Sequence, residues 1–237
     1  MKHTALKRFV LGLALAALPH LAGAVPLAAG DTVFLPGTTV AAEPGLGGTV
    51  INDNIVSDFI GLDANGFFGI GVDIQNRVVR STLDGSLIFM PRVLTTFNNS
   101  GGNFLVDRMT LFGFGGYDVD VNYRTDGLGD RGPTSATRSG DGQDLIFDFG
   151  FPLVGSNLFQ NPREDSLFLS LNTDERAFSL TGRISVFARH IDYPGQTYRF
   201  DYGGIAVPAP VPLPASFLLL LAALGGTGVA MRGRSVR

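Results

Sequence analysis

Side chains that act as nucleophiles or soft metal ligands are scarce in this sequence. It contains no cysteine, and His190 is the only histidine outside the first 24 residues. Cysteine nucleophiles are therefore excluded, and a Ser-His-Asp triad would have to use His190. No Gly-x-Ser-x-Gly motif accompanies this histidine, which ends a strand-like run just before Pro194-Gly195. We therefore expect a hydrogen-bonded histidine at a strand end, no catalytic residues and no zinc site.

Carboxylates are plentiful, and they leave two kinds of site open. A glycoside hydrolase needs a pair of carboxylates, but the only glutamates are Glu43, Glu164 and Glu175. Calcium is the better candidate, because hard oxygen ligands follow one another closely in Asp118, Asp120, Asn122, Asp126, Asp130, Asp141 and Asp144. Tyr123 and Gly129 stand where an EF-hand loop has its turn glycine and bidentate glutamate. A looser calcium site at loop 125–143 remains possible, and no other cofactor is expected.

Charge divides the chain into an acidic body and two basic ends. Residues 25–208 hold 12 arginines and 21 acidic residues, a formal charge of −9, and both lysines precede residue 25. Nucleic-acid phosphates need a basic face, so we expect no nucleic-acid partner. The body is long enough for one domain with its own core.

Aromatic residues leave glycan binding as a further alternative. The body has no tryptophan, and its tyrosines are Tyr117, Tyr123, Tyr193, Tyr198 and Tyr202. Its phenylalanines fall mostly in strand-like rows, which indicates a packed core. A sugar-binding platform is therefore the less favoured interpretation of the aromatic residues.

Alternation of apolar and polar residues predicts an all-β fold. Rows of period two occur at 117–123, 145–149, 167–171, 184–188 and 198–202, and glycine or proline interrupts the chain about every ten residues. Asp84-Gly85 predicts a hairpin turn. We expect about ten short strands in a single β-sandwich or jelly-roll-like domain at 25–206. Segments 28–48 and 125–143 are expected to be a loose arm and a long polar loop.

The N-terminus has the pattern of a secretory signal peptide over residues 1–24. Lys2, Lys7 and Arg8 precede an apolar block, and the small residues Ala22 and Ala24 stand at the −3 and −1 positions of a cleavage site. Signal peptidase would then release a mature chain that begins at Val25. This pattern predicts export across the inner membrane.

The C-terminal segment 207–237 combines three patterns. Prolines at 208, 210, 212 and 214 predict an extended spacer, because proline fixes φ and lacks an amide donor. An apolar run at 217–231 follows, and a helix of this length spans about 22 Å, which makes a short membrane anchor. The run ends at a basic cluster that should stay cytoplasmic, formed by Arg232, Arg234 and Arg237.

This tail resembles a PEP-CTERM sorting signal of Gram-negative bacteria. The residues that carry the likeness are Val211, Pro212, Leu213, Pro214 and Ala215, which match the VPLPA variant, together with the helix and the arginines. The resemblance implies an exosortase, a membrane-embedded protease or transpeptidase, as partner. It also implies transient insertion in the inner membrane and cleavage near the motif. Leu213 replaces the usual glutamate, so a variant exosortase is implied.

Two classes of function follow from these patterns. The first is a non-enzymatic protein of the cell surface or extracellular matrix, and the resemblance implies association with extracellular polysaccharide. The second is a calcium- or glycan-binding module on the same fold. The first is the function that we expect.

Overall fold

The structure, a computed structural model, describes residues 23–61, 68–157 and 163–210. These residues form an all-β fold of two antiparallel six-stranded sheets, which confirms the predicted fold class at the level of a β-sandwich. The strands are β1 Val25–Pro26, β2 Thr32–Phe34, β3 Gly48–Gly61, β4 Gly69–Ser81, β5 Leu87–Asn99, β6 Phe104–Phe112, β7 Asp120–Tyr123, β8 Ser135–Arg138, β9 Asp144–Gly155, β10 Leu169–Asn172, β11 Phe178–His190 and β12 Thr197–Pro208. A short 3₁₀ turn, Pro44–Leu46, precedes β3.

In both sheets, several strands that follow one another along the chain pair with each other, and longer connections link the remaining strands. The first sheet has the order β1-β7-β10-β5-β4-β3, and the second has the order β12-β11-β6-β9-β8-β2. The β4–β5 connection contains the predicted Asp84-Gly85 turn, in which Gly85 adopts the positive φ of 81° that favours glycine. The edge strands β3 and β12 are both long, with 14 and 12 residues.

The two sheets bury their apolar faces against each other in one continuous core. Alternate residues of each strand point inward, as in the row Ile184, Val186 and Ala188 of β11. Polar contacts also cross between the sheets: the Tyr202 hydroxyl of β12 donates to the Val72 carbonyl of β4 at 2.7 Å. Burial, with smaller contributions from nearby carboxylates, raises the pKa of this hydroxyl, which therefore stays protonated.

Several strands are longer than the sequence predicts. The sequence predicts short strands, whereas β4 is one continuous strand of 13 residues. The interruption in the apolar pattern is Asn76, which points inward and is buried. Its side chain donates to the Gly204 carbonyl at 3.3 Å and accepts from the Ala206 amide at 3.2 Å. A polar residue can therefore continue a buried strand when the opposite sheet supplies its hydrogen bonds.

The expected loose arm and long loop both contain ordered elements. Segment 28–48 includes β2 and the 3₁₀ turn, and segment 125–143 includes β8. Arg138, which ends β8, is buried. Its guanidinium donates to four backbone carbonyls at 2.9–3.1 Å, those of Leu27, Phe114, Tyr117 and Gly142. One side chain thus joins the N-terminal segment to two loops that are distant in the sequence.

Replacing Arg138 by methionine should destabilise the protein strongly. The buried carbonyls of Leu27 and Gly142 would lose this donor, the Phe114 carbonyl would keep the Tyr117 amide at 3.3 Å, and each unsatisfied buried acceptor costs about 1–3 kcal/mol. We expect Arg138→Met to lower the free energy of unfolding by at least about 3 kcal/mol, measured by urea denaturation. The matched control is Arg108→Met, which removes the exposed 2.7 Å ion pair with Asp148 and should cost less than about 1 kcal/mol. Equal losses for the two variants would contradict this role of Arg138.

Candidate functional site

Most of the predicted processing residues lie outside the described part of the chain. Ala22 and the whole of 211–237 belong there, including Val211, Pro212, Leu213, Pro214, Ala215, Arg232, Arg234 and Arg237. The expected membrane helix at 217–231 falls in the same range. Within residues 23–61, 68–157 and 163–210, no helix is long and apolar enough to cross a membrane.

The predicted signal cleavage point lies beside the first strand. Ala24 donates its amide to the Glu43 carboxylate at 3.1 Å, and β1 begins at Val25. Gly23 accepts a hydrogen bond from the buried Asn122 side chain at 3.0 Å. Gly23 and Ala24, which the predicted cleavage would remove, thus also contact the fold, and β1 begins at the predicted first residue of the mature chain.

At the other end, β12 continues into the segment predicted as a proline-rich spacer. Val207 is buried in the core, and Pro208 pairs with Phe178 at the end of β11. The Ala209 amide then donates to the Ala177 carbonyl at 3.0 Å. The VPLPA motif therefore begins two residues after the last backbone hydrogen bond that the structure shows for this strand pair.

His190 is the last residue of β11, and both of its ring nitrogens have hydrogen-bond partners. The Asp192 amide donates to Nδ1 at 3.1 Å, so the neutral ring carries its proton on Nε2. Nε2 lies 3.2 Å from Ser100 Oγ, and that hydroxyl donates its own proton to Asn98 at 2.6 Å. In this arrangement Nε2 has no free lone pair for the serine proton, so the pair lacks the geometry of a nucleophile and its base.

The aspartates of the candidate calcium loop accept hydrogen bonds from different parts of the fold. Asp126 accepts from the Val40 amide and from Arg124, Asp130 accepts from the Asp165 amide, and Asp141 accepts from Ser139. Across the described ranges, no group of three or more His, Cys, Asp or Glu side chains is arranged to hold a metal ion. Calcium binding stays a prediction, and a calcium titration followed by melting temperature tests it.

Two of these aspartates do meet in an acidic cleft of about 250 Å³ between the β4–β5 turn and the strands β7 and β10. Asp118 and Asp120 line it together with Asp174, Asn172 and Asp84. Burial raises the pKa of the Asp120 carboxyl, and the negative charges of Asp174 and Asp118 add to the effect. The sequence placed Asp118 and Asp120 in the alternating row 117–123, and it gave no sign that Asp174 would join them.

A second depression lies on the outer face of the first sheet, near the connection between β3 and β4. It has a volume of about 440 Å³ and is lined by Ser57, Asp58, Phe59, Gly71, Asp73, Thr96 and Phe97. The tyrosines that the sequence offered as a sugar platform lie elsewhere, and Tyr198 and Tyr202 are buried. Phe59 was assigned to the core with the other phenylalanines, but 46% of it is exposed.

Removing the Asp120 charge should stabilise the protein at neutral pH. Its pKa is higher in the folded chain than in the unfolded chain, so the ionised carboxylate lowers stability, and this penalty disappears below about pH 4. We expect Asp120→Asn to raise the melting temperature by about 1–3 °C at pH 7 and to leave it unchanged near pH 3. Asp31→Asn, in an exposed turn, is the control that should change neither value. A gain at pH 3 equal to that at pH 7 would contradict the electrostatic cause.

Known proteins offer no relative from which a function could be transferred. Comparisons with models of protein families, with curated proteins and with solved structures find no match to this chain. The basis for assigning a function is therefore the chain's own residues and their geometry.

Proposed function

We propose that this protein is exported, sorted by an exosortase and deployed as a non-enzymatic component of the cell surface or extracellular matrix. The observation that carries the proposal is the tail that follows the folded body. The VPLPA motif at 211–215, the apolar run at 217–231 and the three terminal arginines occur in this order. In the proposed pathway the chain crosses the inner membrane, is anchored transiently by 217–231 and then reaches the surface or the medium.

The end of the body suits a protease that must reach the motif. β12 is hydrogen-bonded to β11 as far as Pro208, and the last described residue is Pro210. Pro210, Pro212 and Pro214 lack amide donors, so a strand or helix is disfavoured across the motif. A protease acting at the motif would then leave the hydrogen bonds of the sheet intact.

The chemistry of the body supports a non-enzymatic role. Both ring nitrogens of His190 form hydrogen bonds, and the hydroxyl of the neighbouring Ser100 donates to Asn98. Asp126, Asp130 and Asp141 of the same body accept hydrogen bonds from nearby amides, a serine hydroxyl and one arginine. Polysaccharide of the matrix is the proposed environment of the mature protein, as the resemblance of the tail suggests.

Processing can be tested by intact mass. In cells that contain the cognate exosortase, we expect the recovered protein to begin at Val25 and to lack Arg232, Arg234 and Arg237. Replacing both Pro212 and Pro214 by alanine should leave the full tail in place and the protein in the membrane fraction. Pro210→Ala is the matched control, because it alters the spacer outside the motif and should be processed normally.

Two outcomes would overturn the proposal. The first is a surface protein that still ends in Arg237, because the tail would then not be removed. The second is unchanged delivery of a chain that ends at Pro210, because sorting would then be independent of the tail.

A further inference from the structure

The groove on the outer face of the first sheet is built from three adjacent strands in cross-strand register. Gly71 of β4 pairs with Phe59 of β3 on one side and with Phe97 of β5 on the other. The two phenyl rings meet edge to face, with centroids 5.5 Å apart. Because Gly71 has no side chain, a shallow trough remains beside the rings, and a Cβ there would lie 3.0 Å from the Phe97 Cβ.

A polar row lies next to this aromatic row. Asp73 is two residues along β4 from Gly71, on the same face, which places it about 7 Å away. Ser57 of β3 pairs directly with Asp73, and Thr96 lies at the irregularity of β5 beside Gly71 and Val72. Partial burial raises the pKa of Asp73, and the nearby Ser57 and Thr96 side chains partly offset that rise. The groove thus presents an apolar ring face and a fixed acceptor side by side.

The exposed ring of Phe59 sets this groove apart from the rest of the same sheet. Phe168, which packs against Val79 and Ile88, lies beneath the guanidinium groups of Arg77 and Arg92 at 4.2 and 4.7 Å and is 2% exposed. In the described part of the chain no guanidinium covers Phe59, which is 46% exposed, and Gly69 leaves room for its ring over β4. An open aromatic surface beside a partly buried carboxylate is typical of ligand sites.

We propose that this groove binds one neutral hexopyranose unit of a polysaccharide. The C–H face of the sugar ring packs on Phe59, and its hydroxyls donate to the Asp73 carboxylate and exchange hydrogen bonds with Ser57 and Thr96. The carboxylate of Asp73 disfavours uronic acids and other anionic sugars, because like charges repel at short range. This site does not include the tail, so failure of the binding test would leave the sorting proposal unaffected, and failure of the sorting test would leave the binding proposal unaffected.

Affinity electrophoresis of the purified full-length chain tests the site. Native gels contain dextran, mannan or galactan as neutral probes and polygalacturonate as the anionic probe. We expect retardation by at least one neutral polysaccharide and none by polygalacturonate. Phe59→Ala and Asp73→Asn should each weaken that binding at least tenfold. Phe151→Ala, which removes another exposed phenylalanine on β9 of the opposite sheet, should bind as the unmodified chain does.

Thermal unfolding of each variant shows whether a loss of binding is caused by a loss of folding. Asp73→Asn preserves the shape of the side chain, and Phe59 lies on an edge strand, so we expect both variants to fold. If Phe59→Ala fails to fold, Asp73→Asn alone decides the outcome. The assignment is overturned if no neutral probe retards the chain, if polygalacturonate retards it equally, or if the folded groove variants bind normally.

Discussion

The two sheets are held together by burial of their facing side chains, and the other features of the fold depend on this contact. The chain has no cysteine, so no disulfide assists it. Each fully buried Leu, Ile or Phe contributes about 1.5–3 kcal/mol, whereas a buried polar group costs a comparable amount unless it is paired. Two large interior polar side chains are paired accordingly: Asn76 bonds across to β12, and Arg138 binds four carbonyls.

Alternation along the chain was sufficient to predict strands and two apolar faces, because a half-buried strand has an intrinsic period of two. Strand lengths were less accessible, since Asn76 interrupts the apolar row of β4 and only its partners on β12, about 130 residues later, explain its burial. The burial of Arg138 was equally inaccessible from the sequence. Its charge and its position among glycines predict an exposed loop, whereas its acceptors come from three separate segments.

The two depressions differ in how far the sequence anticipated them. Asp118 and Asp120 were recognised as a pair, but Asp174 reaches them only because β10 lies beside β7 in the first sheet. No pattern in the sequence predicted the proposed sugar groove. Its aromatic and polar residues form adjacent rows only when β3, β4 and β5 pair in register. The tyrosines were the aromatic candidates for a sugar platform, which the sequence disfavoured, yet packing buried Tyr198 and Tyr202 and exposed Phe59. The packing that decides which rings are exposed is a tertiary property.

The two ends of the folded body and the groove are formed by different strands. β1 begins at the predicted mature N-terminus, and the VPLPA motif follows β12 by two residues, so neither processing event needs to break a strand pair. The groove is assembled from β3, β4 and β5, whose ladders do not involve β1 or β12. Removal of both terminal segments would therefore leave every backbone contact of the groove in place. The proposed binding surface would therefore keep its structure through the predicted processing steps, because the predicted sorting segments and the residues proposed to hold a sugar share no hydrogen-bonded strand pair.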